Sequence, residues 1–492
     1  MIFEKTKISI TVQIILLLIL IYLVVFVKLG AFHMRLWDES MFAVNTYEMI
    51  HNGNYFANYF DGHPDICNTK PVLTLWAQIA CVKLFGYNEL ALRLPSAVAA
   101  ALTILLIFVF LYRNYSAYWA WASALILLTT TGFIGFHTAR TAEADSMLTF
   151  FMFLSNLAFL KFINSQKQKY VLFFMLSLTL AFATKMVAAL LFLPSILIIL
   201  IIYKQLKKFV WNPYFFAGIL LFLLVNISFM VLRHNENPDY FTNFFDRDAG
   251  RLLRVTDGFA GDINYYLDNL LNRRFATWFT LLMMGFIMVF ITRKEKERKL
   301  MTIISILASG YFLIISAAAT KVEWYDMPLY PYLAIIAAFP VFILLQWFLD
   351  NHPTHKHWKS LVIMMVIFSY PYYMMYRNSQ ANSLNGYEKM NEASERFLFK
   401  KSQEKSNLNG VKVYHTGYHG SLLFYKYKLQ ESGQKIELVN TAGFNPCDKV
   451  LVSDDSLKDI VKGRYRYCII DIYDNAELIE IKGKADTIKN QE

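Results

Sequence analysis

Long apolar runs alternate with short charged segments along most of the chain. A membrane-crossing helix needs about 20 apolar residues. Windows that qualify lie near 9–29, 93–112, 118–134, 146–162, 170–184, 186–203, 212–232, 275–292, 300–318, 327–348 and 361–376, which predicts about eleven spans. Lys185 interrupts the run over 170–203, so that run reads as two spans turning tightly at the lysine. The tail beyond 376 has another rhythm. "VKVYHTG" (411–417), "KVLVSDD" (449–455) and "RYCIIDIYD" (466–474) alternate with period two and predict strands, while 383–405 reads as a polar helix. The pattern therefore predicts a polytopic α-helical membrane protein over 1–376 with a small soluble α/β domain over 377–492.

The loops orient it. "KTK" (5–7), "KFINSQKQK" (161–169), "KQLKK" (204–208), "RKEKERK" (293–299) and "HKHWK" (355–359) are all basic and all fall on one side. Lys and Arg mark cytoplasmic loops, so the N-terminus is expected in the cytoplasm. An odd number of spans then puts the tail outside. Composition agrees, with 56% hydrophobic and 17% charged residues, against about 25% charged in soluble chains. The net charge of +11 follows from these basic loops, and nucleic-acid binding is not needed to explain it. The first apolar run is too long for a signal peptide and lacks a small-residue cleavage site, so it is expected to remain as a span. Of the four cysteines, Cys447 and Cys468 fall in the tail, where either a bridge or free thiols are consistent with the sequence.

The outer side holds the candidate chemistry, in loops near 30–92 and 233–274 and in two shorter ones. "LWDESMFAVNTYEMI" (36–50) has apolar positions at i+3 and i+4 and ends at Gly53. It predicts an amphipathic helix in the interfacial plane, with Asp38 at or beside its N-cap. Capping alone would explain that aspartate. "DGHPDICNTKPVLTLW" (61–76) offers Lys70, either a snorkelling lysine or a cation for a phosphate. "HTARTAEADSMLTFF" (137–151) gathers Arg140, Glu143 and Asp145 at the mouth of one span, where ionisable groups are costly. "TKVEWYDMPLYPYLAI" (320–335) carries Lys321 and Tyr325 beside belt-type aromatics. Carboxylates and cations thus collect on one face. That is what a reaction at an outer leaflet requires: an acid or base, cations for a phosphate and a lipid-facing groove.

"WDESMFA", "NTKPVLTLW", "LALRLPSAVAAALTI", "RTAEADSMLTFF" and "WYDMPLYPYLAI" occur in that order over roughly residues 1–350. Together they resemble the GT-C membrane glycosyltransferases, in the bacterial branch related to dolichyl-phosphate-mannose protein mannosyltransferases and the lipid A aminoarabinose transferase. The resemblance implies a polyprenyl-phosphate-linked sugar as donor, a glycolipid (lipid A or another) or protein as acceptor, and inversion at the anomeric carbon. It implies that Asp38, of the Asp38–Glu39 pair, is the general base, with Asp145 in a second acidic motif beside Glu143 and Arg140. Lys70 and Tyr325, with Lys321 nearby, are expected at the donor phosphate. Arg140, Glu143, Arg247 and Arg251 are expected along the substrate groove. Met41, Thr69 and Val72 depart from the aminoarabinose transferases, which bears on the sugar more than on the reaction class. No metal ligand is assigned. A divalent cation stays open, with Asp61, His63 and Asp65 as its nearest candidates. The implied location is the bacterial inner membrane, with the tail in the periplasm. Two other classes fit lipid-linked sugars: a transporter or flippase, and an O-antigen-type polymerase or ligase. The first favours internal repeats and midplane charges. This chain shows no repeat and only Lys185 as such a charge. The second centres on a large Arg-rich outer loop, which Arg233, Arg247, Arg251 and Arg254 keep in play.

Overall fold

The computed structural model describes residues 9–135, 137–256, 258–351, 356–381, 389 and 391–485. Each of the eleven apolar windows holds a helix. Among the described residues, six helices are long and apolar enough to cross a membrane: Glu89–Asn114, Asp145–Ser165, Lys169–Leu190, Pro213–Glu236, Glu295–Ala317 and Glu323–Asn351. The pair Tyr265–Arg274 and Ala276–Ile291, bent by 87°, makes a seventh if counted as one span. Ile10–Phe26, Leu73–Phe85, Ala117–Leu128 and Leu193–Ile202 are apolar but shorter. Pro213–Glu236 is apolar on nearly every side and exposes Leu220, Leu224 and Ile227, as a lipid-facing helix does. The protein is membrane-embedded and multi-pass.

The chain divides into two compact units. One comprises Met1–Val27, Asp65–Ala77 and Arg93–Ala381. The other comprises Lys28–Pro64, Gln78–Leu92 and Asn382–Glu492.

In the first unit the helices begin where the sequence supplies caps. Ser116 accepts from the Tyr118 N–H, and Asn212 accepts from the Tyr214 N–H with Pro213 at the first helical position. At Lys185 the helix type changes, but Lys169–Leu190 remains one candidate span and the expected tight turn at the lysine is not seen. Helix Lys169–Lys185 stops there, a 3-10 turn covers Met186–Leu190, and Leu193–Ile202 follows. Close crossings use small residues. A Cβ on Gly285 would strike the Ile336 carbonyl, and one on Gly310 would strike Ser195 Oγ, so the backbones approach closely.

The second unit holds a five-stranded sheet in the order β4-β3-β5-β7-β6. Its strands are β3 (Val411–Tyr414), β4 (Glu437–Val439), β5 (Lys449–Val452), β6 (Tyr465–Tyr473) and β7 (Ala476–Lys484); a short hairpin, β1 (Tyr59–Phe60) and β2 (His63–Pro64), lies earlier in the chain. β3 runs parallel to β4 and β5, while β7 is antiparallel to β5 and β6. Val450, Val452, Val461, Ile479 and Ile481 form its core. The three expected strands are present. Of the polar helix expected over 383–405, Ala393–Gln403 is helical, and 383–388 and 390 lie outside the described residues. All four cysteines are free thiols.

Helix Asp38–Asn52 corrects one expectation. It is buried from Glu39 to Met49 and has no solvated polar face. Its polar residues are partnered: Asn45 donates to the Tyr59 carbonyl, Thr46 to Gln78, and Glu48 accepts from Tyr427 at 2.7 Å. Tyr47 stacks on Tyr427 at 4.2 Å. Polar periodicity here encodes partners, not water.

Helix Ala393–Gln403 buries Glu395, whose Oε1 accepts from Ser421 at 2.6 Å. Burial first, and the Glu392 charge second, push this carboxyl up to about 7 against the Ser421 hydrogen bond and Arg396. Unfolded, it sheds its proton near 4.5. The folded state therefore binds the proton more tightly, and the group's stabilising contribution is full below about 4.5 and lost as pH rises through about 7. Glu395→Gln is expected to raise the thermal midpoint of the purified chain at pH 8 and to leave it nearly unchanged at pH 5. Equal shifts at both pH values would contradict this.

Candidate active site

A cleft with about 670 Å³ of empty space opens among helix ends of the first unit. Asp145 stands at the first position of helix Asp145–Ser165, and Lys185 at the last position of Lys169–Lys185. Each charge suits the helix end it occupies. Lys185 Nζ donates to both Asp145 oxygens at 2.7 and 2.8 Å, and both side chains are buried. The same ammonium lies 5.0 Å from the Tyr325 ring centroid, within cation–π range.

Tyr325 sits in the 3-10 turn Glu323–Leu329, whose helical backbone brings the ring to the cleft. Its carbonyl accepts from Tyr311 at 3.0 Å, and its phenol meets Arg251 Nη1. Arg251 is placed by backbone pairing between distant segments. The Thr320 N–H donates to the Arg251 carbonyl at 3.0 Å, the Lys321 N–H donates to Phe259 at 2.9 Å, and Ala260 bridges Thr320. Asp248 also lines the cleft and accepts from the Thr69 hydroxyl. That contact draws the loop carrying Lys70 to the cleft. The loop is stiff. Asp65 Oδ1 accepts from Cys67 and Asn68 N–H at 2.7 and 3.0 Å, and buried Arg233 donates to the Asn68 carbonyl at 2.6 Å. The charges of Arg251, Asp248 and Lys70 all act on the Tyr325 phenol. Arg251, the Lys185–Asp145 pair and the Tyr325 phenol thus line one cleft.

Other expected residues have structural partners. Arg140 Nη1 donates to the Val24 and Val25 carbonyls at 2.8 Å, and Nη2 donates to Val27 at 3.1 Å. It closes the end of the first helix, and burial, with the Arg93 charge, lowers its pKa to about 10. Lys321, expected near the donor phosphate, meets backbone carbonyls in this structure. Its buried ammonium donates to the carbonyls of Ile315, Ser316 and Ala318, at the end of Glu295–Ala317. It reaches back over that helix end, whose C-cap is Ala318, and burial lowers its pKa. Glu143 Oε2 lies 2.7 Å from His137 Nδ1, and His137 stacks on Trp324 at 3.7 Å. Arg247 lies in the turn Phe244–Ala249 and is not part of the cleft lining.

Asp38 and Glu39 belong to the second unit. Asp38 is the first helical residue, and the N-cap is Trp37, whose φ of 66° no glycine relieves. Asp38 therefore sits beside the cap and is not the cap itself. Glu39 is buried and accepts from the Arg35 N–H at 2.9 Å. Glu392 accepts from the Leu36 N–H at 3.0 Å and meets His33 at 2.7 Å, which pins the approach to Asp38. Of the residues considered for a cation, Asp65 is committed to its own turn, and Asp61 lies 3.4 Å from His419.

Sequence reasoning noted Lys185, as a single charge inside a long apolar run, and Thr69, without giving either a role at the site, and it missed Asp248 and Tyr311.

Residues 69–231 match the family described as dolichyl-phosphate-mannose-protein mannosyltransferase. An uncharacterized protein of Aquifex aeolicus is 26% identical over 323 residues, 66% of this chain and 62% of that protein. Undecaprenyl phosphate-alpha-4-amino-4-deoxy-L-arabinose arabinosyl transferase 1 of Pseudomonas fluorescens is 25% identical over 303 residues, covering 60% and 53%. The chain thus spans less than two thirds of either relative. The crystal structure of ArnT from Cupriavidus metallidurans bound to undecaprenyl phosphate superposes with a TM-score of 0.69 at 15% identity, over 96% of this chain and 98% of that one. Fold and matching segment define the class: a membrane-embedded protein with the fold of ArnT and a segment similar to the mannosyltransferase family. The sequence likeness lies in residues 69–231, and the structural likeness extends over nearly the whole chain.

Removing one partner of a buried ion pair costs about 3–5 kcal/mol, whereas replacing both with apolar residues is often near neutral. Lys185→Met is therefore expected to destabilise the detergent-purified chain by about that amount, and Lys185→Met with Asp145→Leu to recover most of it. Additive losses in a chemical-unfolding double-mutant cycle would refute the pairing.

Proposed function

We propose that the protein is an inverting glycosyltransferase that moves a sugar from a polyprenyl-phosphate donor to lipid A, another glycolipid or a protein. The observation that carries this reading is the cleft, where Arg251, Tyr325 and Lys185 converge in a GT-C fold. The likeness to an undecaprenyl-phosphate-bound ArnT supports the donor class. In the reaction, the acceptor oxygen attacks the anomeric carbon from the face opposite the phosphate. The bond from that carbon to the phosphate oxygen breaks, and polyprenyl phosphate leaves with the electron pair. Asp38 takes the acceptor's proton, as a positioned carboxylate can. Glu39 holds the chain just before it. Arg251, Lys70 and the Tyr325 hydroxyl stabilise the charge that grows on the leaving phosphate. Lys185, held by Asp145, keeps the Tyr325 ring in place and adds positive potential.

The same reading assigns about eleven spans to 1–376, with the N-terminus in the cytoplasm of a bacterium. It assigns 377–492 to a soluble domain on the periplasmic side of the inner membrane. Chemistry then takes place at the outer leaflet. Arg247 joins the rim of the groove in this account, and Glu143 positions His137.

Asp38→Asn keeps the size and removes the base. Membranes carrying the variant at wild-type abundance are expected to transfer radiolabelled sugar from a polyprenyl-phosphate pool about 10²–10⁴-fold more slowly. Equal rates would remove Asp38 from the chemistry.

A further inference from the structure

The loop His415–Gly420 joins β3 to helix Gly420–Glu431 in the second unit. Gly417 holds φ +74°, and a Cβ on Gly420 would come within 2.8 Å of Ser40 Oγ. The two glycines let this loop turn against the start of helix Asp38–Asn52. There the Tyr418 ring stacks on the Trp37 indole, with centroids 4.7 Å apart and planes within 12°. The Tyr418 hydroxyl donates to the Trp37 carbonyl at 3.1 Å. That carbonyl also accepts from Ser40 Oγ and the Met41 N–H, each at 2.9 Å.

Trp37 pays a conformational penalty for its place. Its φ of 66° and ψ of −125° lie where residues with a side chain rarely sit, and such strain collects at functional sites. Three donors on one carbonyl hold it there. The indole is nonetheless 52% exposed. A strained, stacked and half-open tryptophan adds little to a core. Phe60 stacks behind Tyr418 at 5.7 Å, and His419 meets Phe60 edge-on at 5.8 Å. His419 Nε2 lies 3.4 Å from Asp61 Oδ2, and that aspartate is half exposed. The result is an open aromatic face with a polar His–Asp rim. Trp37 immediately precedes Asp38.

We infer that Trp37 and Tyr418 form a platform for a carbohydrate ring of the acceptor. A pyranose has an apolar face of C–H bonds and a rim of hydroxyls. The indole takes the first, and Asp61 and His419 take hydroxyls of the second. A ring seated on Trp37 would present a neighbouring hydroxyl to the Asp38 carboxylate. The inference rests on the reading of Asp38 as the acceptor's base. It narrows the acceptor from any hydroxyl to a glycan or glycolipid.

The test uses the full chain in phosphatidylcholine nanodiscs, with free disaccharides of glucose, mannose, glucosamine and N-acetylglucosamine as probes, read by saturation-transfer NMR. At least one is expected to bind wild type through its C–H face. Trp37→Ala is expected to weaken that binding by about tenfold, the scale of one aromatic contact, while Trp37→Phe retains most of it. If no disaccharide binds wild type, or if Trp37→Ala binds as wild type does, the platform is overturned and the indole is a lipid or packing residue. Undecaprenyl phosphate binding by wild type is measured beside it. Its failure would defeat the donor reading alone, because the disaccharide result is read without donor.

Discussion

A charge or a bare carbonyl inside an apolar bundle must find its partner within the chain, because neither water nor lipid supplies one. This constraint organises the membrane unit. Lys185 and Asp145 neutralise each other between two helix ends. Arg140 closes the carbonyls at Val24–Val27, Lys321 closes those at Ile315–Ala318, and Arg274 meets Asp326 and Tyr330. Each contact ties segments far apart in sequence or seals a helix end. The cleft is what lies among these sealed ends. Its polar groups are rigid because their neighbours are already committed, which is the condition for electrostatic stabilisation of a developing charge.

The second unit solves a different problem. It has to hold the strained backbone at Trp37 and the aspartate after it. Glu392, Tyr425 and Tyr418 all bond backbone groups between Met34 and Trp37. Tyr425 and Glu392 come from the far end of the chain, so the approach to Asp38 is fixed by the tail sequence. The tail is therefore part of how the candidate base is positioned.

The helices were legible because each apolar window had one physical cause, exclusion of polar groups from lipid. The cleft was half legible. The motifs that hold Lys70, Asp145 and Tyr325 stood out because charges at apolar borders are expensive. The roles of Arg140 and Lys321 could not be read the same way. A cation that binds a phosphate and a cation that caps a helix look alike in sequence, and only the carbonyls within reach tell them apart. The reverse error occurred at Asp38–Asn52, where buried polar partners imitated a wet face. β4 has three residues and β7 carries Glu and Lys along its length, so neither stands out by period alone. Lys185 was visible as an anomaly, but its partner lies forty residues earlier.

The central claim is that the cleft holds a polyprenyl phosphate. Undecaprenyl phosphate binding to the full chain in nanodiscs, measured by native mass spectrometry against a neutral isoprenoid alcohol, tests it most directly. The account predicts selective binding of the phosphate by wild type. It predicts a loss of about tenfold or more in Arg251→Ala with Lys70→Ala, since each charged hydrogen bond contributes about 1.5–3 kcal/mol. Equal binding of alcohol and phosphate, or equal binding by wild type and the double variant, would contradict it.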